Sequence, residues 1–122
     1  MTIGQLIQAI ALFLRQARLE YASHRDSVGT LLDMDDGLMN QRKLGILKVI
    51  LEELIDLRNA ARRLIVAMKR WLRLLPQLPT EINALVTAFQ VPFEPTMNAI
   101  KQFEKDVDAS VQLLKEIIAE YE

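Results

Sequence analysis

The chain contains no cysteine, which excludes disulfides, thiolate metal sites and cysteine nucleophiles and leaves the redox compartment open. Glycine and proline are scarce, four of each in 122 residues. With Leu, Ile, Ala, Glu, Lys, Arg and Gln prominent instead, the composition favours helices over turns and strands. There is a single histidine, so no pair of imidazoles is at hand for a metal. Gly-rich phosphate loops, nucleophile elbows and internal repeats are likewise missing. A formal net charge of -1 argues against a surface that is basic all over, although a local patch remains possible.

What is present is apolar and periodic. Apolar residues make up 51% of the chain, enough for one core with some surface left for a partner. The length suits a single domain over residues 1–122. Met1 to Leu14 carries no charge, but no basic residue precedes this run and no small-residue cleavage site follows it, so it reads poorly as a signal peptide. It is also short of the ~20 residues a transmembrane helix requires. The expected location is cytoplasmic.

Three long arms follow from the spacing. Ile3, Ile7, Ile10, Leu14, Ala17, Tyr21, His24, Val28 and Leu31 step by fours and threes, the spacing of one helical stripe, and predict a helix over about 2–34. Thr2 is its expected cap, Asp35-Asp36-Gly37 its terminating turn, and Gly29 weakens its last turns. A second helix is predicted over about 40–75, from an Asn40 cap to the barrier of Pro76 and Pro79. Its stripe of Leu44, Leu47, Leu51, Leu54, Ala61, Ile65, Met68, Leu72 and Leu75 is interrupted by Arg58 alone. The apolar arc covers about half the circumference, so two neighbours are expected to cover it.

Shorter pieces make the third arm: a helix over about 80–90, a break at Val91-Pro92-Phe93-Glu94-Pro95, and a helix over about 96–121 capped by Thr96. The 80–90 helix would span only ~16 Å against more than ~50 Å for the second, so it cannot return the chain alone. The expected fold is all-α, an antiparallel bundle of three long arms with the third broken at Val91–Pro95.

Between Asp56 and Glu81 there is no acidic residue, while Arg58, Arg62, Arg63, Lys69, Arg70 and Arg73 all fall there. Arg58, Arg62, Lys69 and Arg73 lie within about 60° of one another on a helix, and each like-charged i,i+4 pair costs on the order of 0.2–0.5 kcal/mol. Relief has three sources. The helix carboxyl end and solvent are one. Acids of the last helix are another: Glu104, Asp106, Asp108, Glu116, Glu120 and Glu122, expected far from the basic end within one chain and so reached between chains. Phosphate is the third, with Trp71 and its leucines as an apolar anchor, although Trp71 falls inside the apolar arc.

Other candidates for chemistry fail on spacing. Arg18 and His24 have the arginine–spacer–histidine form of certain helical ribonucleases, but Leu19 stands where those place a polar residue. A phosphoaccepting histidine wants a Lys-Gly pair close behind it, whereas Arg25-Asp26-Ser27-Val28 follow and Gly29 comes late. A histidine in the helix seam bonded to a neighbour is the plainer state. Asp33, Asp35 and Asp36 resemble the start of a calcium loop, yet the required later ligands fall on Gly37 and Leu44. Glu52, Glu53 and Asp56 cluster without the histidines of a di-iron site and read as solvated.

No cofactor, metal or catalytic residue is therefore expected. The sequence points to a non-enzymatic bundle that binds protein, including copies of itself, as an adaptor, chaperone or assembly subunit. The expected contacts are the apolar first half of helix one (Ile3, Leu6, Ile10, Phe13) and the basic stripe of helix two (Arg58, Arg62, Arg63, Lys69, Arg70, Arg73, with Trp71). The alternative is nucleic acid or an anionic membrane surface bound through that stripe.

Overall fold

The structure is a computed structural model that describes residues 3–33, 41–74 and 80–122, with side chains described for these except 3, 4, 6, 7 and 80–93. Three helices pack against one another: α1 (Ile3–Leu32), α2 (Gln41–Leu74) and α3 (Thr80–Tyr121). No strand occurs among the described residues. Their lengths, about 45, 51 and 63 Å at 1.5 Å per residue, are those of a bundle of long arms.

Paired side chains give the directions. Arg58 meets Asp108 and Lys48 meets Glu122, so α2 and α3 run antiparallel. His24 meets Glu53 while Phe13 and Ala60 line a common cavity, so α1 and α2 are antiparallel too. Phe13 stacks edge-on against Phe103 and Tyr21 reaches Ser110, which makes α1 and α3 parallel. This is the up-down-up order that short connections between neighbouring helices favour.

The core is a set of interlocking stripes. On α2, Leu47, Ile50, Leu54, Leu57 and Ala61 alternate steps of three and four and are buried, with Met68 one heptad beyond Ala61. Met97, Ile100, Phe103, Val107, Val111, Leu114 and Ile118, spaced by threes and fours, are the buried stripe of α3. Leu51, Ile55, Ile65 and Leu72 on one flank of α2, and Leu64 and Trp71 on the other, are half-buried against this core. The broad arc of α2 is thus covered by two neighbours. α1 sits more lightly: Ile10 and Ala17 are buried, and Phe13, Leu14, Tyr21, Val28 and Leu31 are half-buried. A ring contact between Tyr21 and Phe103, a 2.6 Å bond between the Tyr21 and Ser110 hydroxyls, and His24 tie it down.

One expectation does not survive. The structure does not show the break at Val91–Pro95; α3 passes through it, and Thr96 lies inside the helix rather than at its start. Pro92 and Pro95 each remove one N–H, orphaning the carbonyls of Ala88 and Val91, but three residues apart these losses fall near one side of the helix. Such a defect bends a long helix more readily than it ends one. The expected caps Thr2 and Asn40, the Asp35–Gly37 turn and Pro76 and Pro79 lie outside the described residues. Gly29 does not end α1, whose last bond here joins the Asp33 N–H to the Gly29 carbonyl.

Truncating the fully buried Ile100 to Ala should lower unfolding stability by about 2–5 kcal/mol in urea denaturation, whereas Leu19→Ala, at a site 71% exposed, should change it by less than about 0.5 kcal/mol. A β-carbon added at Gly45, inside α2, meets nothing within 4 Å, so Gly45→Ala should raise stability by about 0.5–1 kcal/mol.

Candidate functional site

Charge on α2 is divided by which way each residue faces. Arg58, the interruption of the apolar stripe, keeps 13% of its side chain exposed and donates from Nη1 to Asp108 Oδ1 at 2.9 Å. One turn on, Arg62 Nε donates to Glu104 Oε1 at 2.7 Å and its Nη2 reaches Asp108 Oδ1 at 3.4 Å. The antiparallel α2–α3 pair therefore brings Glu104 and Asp108 beside the first two cations within one chain. This corrects the expectation that those acids would be reached only between chains. The Arg58 hydrogen bond, then that of Gln112 and the charges of Arg58 and Arg62, hold the Asp108 carboxyl below its ordinary 3.8, against a desolvation effect of opposite sign.

Beyond Arg62 the neutralisation stops. Arg63, Lys69, Arg70 and Arg73 are exposed and meet no acidic group among the described residues. Val66, 60% exposed, and Leu74 lie among them, and with Arg70 and Arg73 they line an open concavity of about 400 Å³. Trp71 is not part of this surface; it is half-buried and packs on the core. The expected basic stripe thus separates into an internally paired half and an open half.

At the other end of α2 the outer face is acidic. Glu20 of α1 with Glu53 and Asp56 of α2 rims a cavity of about 310 Å³ whose wall includes Phe13, Ala17, Leu57 and Ala60. His24 lies beside two of these acids. Its Nε2 lies 2.9 Å from Glu53 Oε2 and 3.7 Å from Glu20 Oε1, yet this buried nitrogen makes no aligned hydrogen bond among the described residues. No cluster of metal-binding type occurs among the described residues.

Of the expected apolar contacts on α1, Ile10 and Phe13 are taken up by the bundle itself. Ile10 is 1% exposed and Phe13 is half-buried against Phe103, so neither offers an open face, while the side chains of Ile3 and Leu6 lie outside the described residues. Leu12, Leu19 and Leu32 are the exposed leucines among the described side chains of this helix. The pairing of Glu104 and Asp108 with Arg58 and Arg62 was missed from sequence; the signal for it was that the acids, like the arginines, are four residues apart. No helix among the described residues is long and apolar enough to cross a membrane. Compared with known protein families, curated proteins and solved structures, the chain matches none.

Because the folded Asp108 carboxyl titrates below its ordinary value, its stabilising contribution is complete above that value and is lost as pH falls through the lowered one. Unfolding followed against pH should show stability still falling below pH 3.8, and Asp108→Asn should be less stable at neutral pH and flatter in that acid window. An acid limb unchanged by the substitution would refute the assignment.

Proposed function

We propose that this chain is a non-enzymatic helical-bundle protein that works in the cytoplasm by binding other protein chains, copies of itself included, as an adaptor, chaperone or assembly subunit. The observation that carries this reading is the unequal treatment of α2. The bundle supplies carboxylates for Arg58 and Arg62 and none among the described residues for Arg63, Lys69, Arg70 and Arg73. Exposed Val66 and Leu74 among those cations add apolar area of the kind a protein contact uses.

Phosphate is the second reading, as nucleic acid or an anionic membrane surface, and the exposed run of Arg63, Lys69, Arg70 and Arg73 favours it. Against it stand acids on the same outward face of the helix: Glu52 and Asp56 would face the same polyanion and be repelled.

Salt separates the two. On the protein-binding reading, the purified chain leaves duplex DNA, RNA and anionic vesicles unbound even at low ionic strength. Binding that falls steeply with salt, with a slope reduced by about one per charge in Arg70→Gln and Arg73→Gln, would overturn it in favour of phosphate.

A further inference from the structure

The outer face of α2 carries a second stripe, separate from the one that builds the core. Val49, Glu52, Asp56, Arg63, Arg70 and Leu74 lie within about 60° of one another at 100° per residue. Their steps of three, four, seven, seven and four are the spacing of a helix–helix seam. All six are exposed. The stripe points away from both neighbours: Arg58 and Arg62 on one flank turn to α3, and Glu53 on the other turns to His24 of α1.

The order of charge along this stripe is what identifies its partner. Acids occupy its first half and arginines its second, with one exposed apolar residue at each extremity. Reversed and laid against itself, the stripe is complementary at every level. Val49 faces Leu74 of the second copy, Glu52 faces Arg70, Asp56 faces Arg63, and the same contacts recur about a two-fold axis near Ala60–Ala61, each pair within about two residues of exact register. Laid parallel, the same stripes would oppose like charges. We infer that two copies of this chain pair antiparallel through the outer faces of their α2 helices, a closed two-fold interface about 38 Å long. The inference rests on the protein-binding reading above and names one partner for it. It also gives Arg63 and Arg70, which meet no acidic group among the described residues of their own chain, a carboxylate each.

Charge exchange tests it by sedimentation equilibrium. The wild-type chain should be a monomer–dimer system in the micromolar range. Arg63→Glu/Arg70→Glu and Glu52→Arg/Asp56→Arg should each weaken self-association by roughly tenfold or more. An equimolar mixture of the two variants should dimerise again, because every level then opposes acid to base, and this recovery also shows that both fold. Should circular dichroism show either variant unfolded, Arg63→Gln/Arg70→Gln and Glu52→Gln/Asp56→Gln serve in its place and should weaken the dimer in the same direction. A wild-type chain that stays monomeric overturns the pairing while leaving binding of a foreign protein standing. A dimer that persists in both variants, or a mixture that stays monomeric, overturns it while leaving self-association through another face.

Discussion

A guanidinium placed in the middle of an apolar seam has to meet a carboxylate there, because an unpaired charge loses its hydration without compensation. Arg58 meets Asp108, and that need sets how α2 and α3 slide against each other. Leucine and valine stripes of heptad spacing pack almost as well after a shift of one heptad, so apolar contacts alone define the register weakly. Here a one-heptad slip in either direction would place Lys101 or Lys115 opposite Arg58 in place of Asp108. The ion pair therefore acts less through its own strength than by making the neighbouring registers repulsive. Arg62 with Glu104 and Lys48 with Glu122 at 2.5 Å repeat the same alignment along the interface.

Much of this architecture was legible in the chain. Steps of three and four located the core positions of α1 and α2 to within a turn, because a helix buries a stripe and a stripe has a fixed period. The breadth of the apolar arc on α2 told that two neighbours cover it. What was not legible depends on contacts between segments distant in sequence. Asp108 is fifty residues from Arg58, and nothing local marks it as the partner rather than Asp106, which instead accepts from Gln102 one turn away. Ile10 and Phe13 read as surplus apolar surface only until α3 is in place. The prolines of α3 misled for a different reason, since local backbone preference argues for an interruption that a long helix can absorb as curvature.

The candidate surfaces show the same division. The run of cations from Arg58 to Arg73 is plain in the sequence, but which of them are neutralised internally is a matter of facing. Arg58 and Arg62 share an azimuth with the α3 contact, whereas Arg63 and Arg70 lie about 100° away from Arg62 and toward solvent. Glu52 and Asp56 read as ordinary solvated acids until it is seen that they share the arginines' outward azimuth.

The parallel course of α1 and α3 has an electrical consequence. Two helix amino termini and one carboxyl terminus gather at the end where Arg63 to Arg73 lie, and the reverse holds at the end carrying Glu116, Glu120 and Glu122. Each helix behaves as a line of aligned peptide dipoles, and in an odd-numbered bundle one of them goes uncancelled. That residual backbone moment points the same way as the segregation of side-chain charge and adds to it. In the field of another charged body such a molecule experiences a torque before it makes contact, so its collisions are oriented ones.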